Sequence, residues 1–98
     1  MGAETFKTKG SGDDIGTAFR HAVDAALYDN GHAGYTGTLA EKTGFVEIIL
    51  PEGTDANEFA DKLIKESDPR IDDKWGPAGA IKLPDQKDTW LFFGWASS

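Results

Sequence analysis

The chain has 98 residues and a formal net charge of −7, which fits one domain and disfavours sequence-independent binding to nucleic-acid phosphates or anionic membranes. Cysteine is absent, so disulfide bonds, thiolate metal sites and a cysteine nucleophile are excluded. A hydrophobic fraction of 39% is typical of a globular protein, and no apolar run approaches the roughly 20 residues of a membrane-spanning helix. We therefore expect one domain over residues 1–98, in the cytoplasm, without contact to nucleic acid or membrane.

The first helix is predicted from about Asp13 to Tyr28. Apolar residues recur at i, i+4, i+7 and i+11 from Ile15, which is the spacing of one buried helix face. Ser11 or Asp13 can cap its start, and Gly31 follows its last turn as a stop signal.

The second helix has stronger signals. From Ala56 to Ile64 apolar residues follow the i, i+3, i+4, i+7, i+8 pattern, with Thr54 or Asp55 in the capping position. Asp68 and Pro69 end it.

Alternating or continuous apolar runs between turn signals predict five strands. With the helices they give the order β-α-β-β-α-β-β, an α+β fold with two helices on a mainly antiparallel sheet of four or five strands, resembling a ferredoxin-like arrangement. The alternative order lacks the first strand. The predicted strands are Glu4–Lys9 (an edge strand), Tyr35–Ala40, Phe45–Leu50, Ala78–Leu83 and Thr89–Ala96. The last two are expected to form a hairpin across residues 84–88.

The segment 30–42 is the candidate ligand site. It is rich in glycine, which lets backbone amides approach a ligand closely, and its polar side chains can hold a small polar molecule such as a nucleotide. It matches no phosphate-binding motif, so a helix stop followed by a tight connection is the alternative interpretation. The candidate residues are His32, Tyr35, Thr36, Thr38, Glu41 and Lys42.

Large aromatic residues are concentrated at the C-terminal end. Because successive side chains of a strand point to opposite faces, these aromatic residues would make both faces of the last strand apolar. If both helices cover one face of the sheet, a partner would have to cover the other face. Trp is favoured at interfaces. An ordinary central strand, covered within the chain, is the alternative. The candidate interface residues are Trp75, Trp90, Phe92, Phe93 and Trp95.

Two further patterns are weaker. His21, Asp24 and Tyr28 share one face of the first helix and would suit acid-base chemistry, as in a small hydrolase using His21 or His32, although a solvated face has the same pattern. Acidic residues around the second helix would allow mimicry of DNA phosphates, but lysines interrupt them. The spacing of the two histidines is not that of a metal site, and we expect no metal or cofactor.

Three stretches, Tyr28–Lys42, Lys74–Ala80 and Leu91–Ser97, resemble a family of small bacteriophage proteins without an assigned fold, activity or ligand. The resemblance implies a phage accessory protein in the cytoplasm of the bacterial host. We expect a non-enzymatic binding module for a host factor or host defence component, or for a second copy of itself, as a dimer. The alternatives are a small-ligand protein using the 30–42 loop and a small hydrolase.

Overall fold

The computed structural model describes residues 3–30, 39, 42–73 and 75–97. These residues form two helices and a mixed four-stranded sheet, which confirms the predicted α+β class. The predicted strand Tyr35–Ala40 lies outside the described residues except for Leu39, whose carbonyl accepts a hydrogen bond from the Lys42 N–H (2.9 Å) in a turn. The elements are β1 (Ala3–Ser11), α1 (Ile15–Asn30), β2 (Phe45–Glu47), α2 (Ala56–Lys65), β3 (Ala78–Lys82) and β4 (Thr89–Ser97).

The strands of the sheet lie in the order β1-β4-β3-β2. β4 pairs antiparallel with β1 and with β3, which confirms the predicted hairpin between β3 and β4 and the edge position of β1. β2 pairs parallel with β3. A parallel pair needs a crossover connection, and α2 lies within that connection. β4 is thereby an interior strand.

The two helices pack on opposite faces of the sheet. Trp90, Phe92 and Ala96 of β4 belong to a buried cluster with the alanines of α1, whereas Leu91 and Phe93 belong to a second cluster with α2. This differs from the ferredoxin-like arrangement expected from the sequence, in which both helices share one face. The physical reason is that β4 presents large apolar side chains on both faces, and a helix on each face shields them from water.

α1 lies close to the sheet because β1 has a glycine below it. A Cβ at Gly10 would lie 2.5 Å from the Ala18 carbonyl oxygen and 2.8 Å from the Ala22 Cβ. Ala18 and Ala22, with Ala26 one turn further on, form a buried stripe of small side chains. Small residues on both sides therefore set the distance between helix and sheet.

The start of α1 differs from the prediction. The Asp14 carboxylate, and not Ser11 or Asp13, accepts a hydrogen bond from the backbone N–H of Thr17 (2.7 Å). This bond holds the pKa of Asp14 below its usual value. Asp14 therefore satisfies one of the free N–H groups that every helix N-terminus has.

Both ends of α2 confirm the signals in the sequence. The Asp55 carboxylate accepts a hydrogen bond from the Glu58 N–H (3.0 Å) and caps the helix. At the other end the Asp68 N–H donates to the Leu63 carbonyl (3.0 Å), with Ser67 in the left-handed region at φ 52°. This is a Schellman termination, in which glycine is the usual residue at the position of Ser67.

β2 ends earlier than the predicted strand Phe45–Leu50. The Ile48 N–H still donates to the Ala80 carbonyl (2.8 Å), and the Ile48 side chain is buried in the α2 cluster. Beyond that point the chain leaves the sheet toward Pro51, which has no N–H to give to a ladder. Ile49 is 87% exposed as a result.

Candidate functional site

The predicted ligand loop lies almost entirely outside the described residues. Its sixth member, Lys42, is described, so the ligand-binding hypothesis for the loop stays a prediction. The five that lie outside are His32, Tyr35, Thr36, Thr38 and Glu41.

Lys42 is buried and directed toward backbone carbonyl groups. Its side chain is 4% exposed, and its Nζ donates to the carbonyls of Gly76 (2.9 Å) and Asp73 (3.3 Å). Burial lowers the pKa of the ammonium group, and the nearby Asp73 carboxylate opposes that effect. These contacts join the segment before β2 to the turn before β3, which is a structural role.

The predicted interface residues fall into two groups. Trp90, Phe92 and Phe93 are buried inside this chain, the two phenylalanines completely. Trp75 is 59% exposed and Trp95 is half-buried. The expectation that one face of the last strand needs cover from a partner does not hold, because α1 and α2 cover the two faces. Trp75 and Trp95 are the members of the set that reach the surface.

The polar face of α1 is open to solvent. The Nδ1 of His21 donates to the Ser11 carbonyl (2.8 Å), and Tyr28 is 90% exposed. His21 and Asp24 are exposed as well. Within the described ranges no three His, Asp or Glu side chains are grouped so that they could hold a metal ion.

The acidic surface around α2 is partly paired with cations of the same chain. Lys7 Nζ lies 2.9 Å from Asp61 Oδ1, and the Arg70 guanidinium makes two hydrogen bonds of 2.9 Å to the Asp68 carboxylate. The bonds from Arg70 lower the pKa of Asp68 to about 2. Pairing of this kind weakens the resemblance to a row of free phosphates.

A groove lies beside β2 on the described surface. It is formed by residues 47–54 together with Lys82 and Pro84, and its volume is about 360 Å³. Its shape follows from the early end of β2. The chain turns back after Pro51, where the Thr54 N–H donates to the Pro51 carbonyl (3.2 Å) and Gly53 takes a positive φ of 78°. We call this feature the β2 groove.

The walls of the β2 groove are apolar and its margin carries negative charge. Ile49 and Leu50 supply aliphatic surface. Glu47 and Glu52 are exposed, and neither has an ion-pair partner within 4.0 Å among the residues that the structure describes. The one lysine of the lining, Lys82, has its Nζ 4.4 Å from the centroid of the Trp90 ring, a cation–π arrangement.

A second, more polar groove of about 290 Å³ adjoins the first at Gly53, Thr54 and Pro84. It lies at the N-terminus of α2. Asp55 and Asp85 contribute carboxylates to it, and Asp55 already caps the helix. The combined surface is therefore more acidic than basic.

Sequence reasoning missed the β2 groove. The only signal was the run Ile48-Ile49-Leu50 directly before Pro51, which the strand pattern assigned to the predicted strand Phe45–Leu50.

No protein-family model, curated protein or solved structure matches the chain. Neither of the helices in the described part of the chain has the length and apolar character needed to cross a membrane.

Proposed function

We propose that the chain is a phage-encoded, non-enzymatic binding module that attaches to a protein of the bacterial host, a host factor or a component of host defence, through the β2 groove. The phage context is supported by the motif resemblance at residues 28–42, 74–80 and 91–97. The observation that carries the proposal is Ile49, an aliphatic side chain 87% exposed beside an apolar groove.

The position of Ile49 suits docking because backbone hydrogen bonds hold the chain on both sides of it. Its neighbour Ile48 is buried against α2 and hydrogen-bonded to β3, and on the other side the turn after Pro51 is closed by a backbone hydrogen bond. A partner therefore meets walls that are already in place, which reduces the conformational entropy lost on binding. Exposed apolar surface of this kind, bordered by polar groups, is typical of interaction sites.

Burial of an isoleucine side chain contributes about 1.5–3 kcal/mol. If the partner covers Ile49, the substitution Ile49→Ser raises the Kd of the complex by roughly ten- to one-hundredfold. The substitution has little effect on the stability of the folded chain, because the Ile49 side chain is already exposed to water.

Affinity capture from lysate of the bacterial host tests the proposal. Tagged wild type, Ile49→Ser and Tyr28→Ser are compared, and retained proteins are quantified by mass spectrometry. Tyr28 is the matched control, since it is 90% exposed on α1, away from the β2 groove. We expect a host protein that wild type and Tyr28→Ser retain and Ile49→Ser loses.

Two results would contradict the proposal. One is that no host protein is retained at micromolar concentrations of the chain. The other is that Ile49→Ser retains the same proteins in the same amounts as the wild type.

A further inference from the structure

The β2 groove also indicates the chemistry of its partner. We infer that it takes a basic segment of the partner protein, with an aliphatic side chain against Ile49 and Leu50 and a Lys or Arg side chain against Glu47 and Glu52. This inference rests on the proposed function.

Size and lining define the first part of the partner. A volume of about 360 Å³ is near the lower end of ligand sites in proteins, which span roughly 300–1,000 Å³. It admits one or two side chains of a partner. Because Ile49, Leu50 and Pro51 line it, those side chains are apolar.

Charge defines the second part. Glu47 and Glu52 flank the apolar run along the chain, are exposed, and have no cation within 4.0 Å among the described residues. Lys82 faces the ring of Trp90. In the adjoining groove Asp55 and Asp85 outnumber the one cation of the described lining, Lys9, and the whole chain carries −7. A cationic segment therefore finds complementary potential as it approaches and after it has bound.

The same charges argue against a second copy of this chain as the occupant. In a two-fold symmetric dimer the same surface patch meets itself, which would bring together four glutamates, Glu47 and Glu52 of each protomer, and only two lysines, Lys82 of each. Two chains of −7 also repel each other as they approach. The occupant is thus a different, basic protein.

A displayed library of random short peptides, selected on the immobilised chain, is the probe. We expect the enriched peptides to combine Lys or Arg with Leu, Ile, Val or Phe. The most enriched peptide is then synthesised with a fluorescent label, and its Kd is measured by anisotropy at low and high salt.

The wild type and three variants are compared in that titration. Ile49→Ser should weaken binding about tenfold or more. The double variant Glu47→Gln/Glu52→Gln should weaken it about 2- to 30-fold at low salt and less at high salt. The control Glu4→Gln/Asp24→Asn removes the same charge from exposed sites on β1 and α1 and should leave Kd within about twofold. Circular dichroism establishes that every variant is folded.

The inference is overturned if the selection enriches no peptide, if the enriched peptides are neutral or acidic, or if the groove double variant and its control bind equally. A dimer in sedimentation velocity that Ile49→Ser dissociates would also overturn it, because a second copy would then occupy the groove. If Ile49→Ser abolishes capture of a host protein but Glu47→Gln/Glu52→Gln leaves the captured amount unchanged, the inference of a basic partner is refuted. The proposed function is not contradicted by that result. Capture that does not depend on Ile49 would refute the proposed function itself.

Discussion

α1 packs directly on the backbone of β1 at Gly10, and we expect Gly10→Ala to destabilise the fold. The added methyl carbon would lie 2.5 Å from the Ala18 carbonyl oxygen, 2.8 Å from the Ala22 Cβ and 3.0 Å from the Phe92 Cε2. A backbone oxygen inside a helix cannot rotate away, so α1 must shift from the sheet. Overpacking of this kind costs about 1–3 kcal/mol. In a domain of 98 residues each kcal/mol lowers Tm by about 4–8 °C, so Tm should fall by roughly 4–24 °C.

Gly44→Ala is the matched control. A Cβ at Gly44 would meet no atom of the described residues within 4 Å, and Gly44 is not among the glycines with positive φ. Alanine there should be neutral or should stabilise by about 0.4–1 kcal/mol through the unfolded state. Urea denaturation followed by tryptophan fluorescence and far-ultraviolet circular dichroism measures both variants. Equal midpoints for the two would refute the packing of α1 on Gly10.

Three further predictions concern α2 and the buried lysine. Ser67→Gly should raise the free energy of unfolding by about 0.5 kcal/mol, because φ is 52° at this position; a decrease in urea midpoint would contradict this. Since burial lowers the pKa of Lys42 below 10.5, the free energy of unfolding should rise relative to Lys42→Met as the pH increases toward 10.5, and parallel pH profiles would argue against a desolvated ammonium. The folded-state pKa of Asp68 is about 2 against an ordinary 3.8, so its pairing stabilises the fold above pH 3.8 and is lost as the pH falls toward 2. Arg70→Gln should reduce this acid-dependent loss by about 0.2–1 kcal/mol, the range for exposed pairs, and an unchanged acid denaturation curve would contradict it.

The helices could be predicted closely because their signals lie within a few residues of each other. For α2 the cap Asp55 and the apolar spacing are local features, and both are confirmed. α1 was predicted from Asp13 to Tyr28 and is found at Ile15–Asn30. Several neighbouring polar residues could accept the capping hydrogen bond, and the sequence does not distinguish them. The backbone geometry places Asp14 in the capping position.

The side of the sheet on which each helix packs could not be predicted. Alternation along β4 showed that both faces are apolar, but the pattern contains no information on which face a given helix covers. That depends on the parallel pairing of β2 with β3 and on the crossover through α2. The expectation that one face of the aromatic strand lacks cover within the chain was wrong for this reason.

At the candidate site, too, individual residues have contacts that local sequence patterns do not specify. The hydrogen bonds of the Lys42 ammonium group could not be read from the sequence, because its acceptors on Asp73 and Gly76 lie 31 and 34 positions further along the chain. Ile49 was predicted to lie within a strand. It is exposed because β2 ends at Glu47, and the end of a strand depends on its neighbour.

The sequence by itself determined the acidic net charge, the α+β class, both helices and the hairpin of β3 and β4. These properties depend on composition, periodicity and short-range turn chemistry. Only the tertiary structure decided that α1 and α2 enclose the aromatic strand from opposite faces. It also decided that Ile49, two residues before Pro51, is exposed to water. Both outcomes depend on strand pairing and on helix contacts between residues far apart in the chain, and no local pattern specifies them.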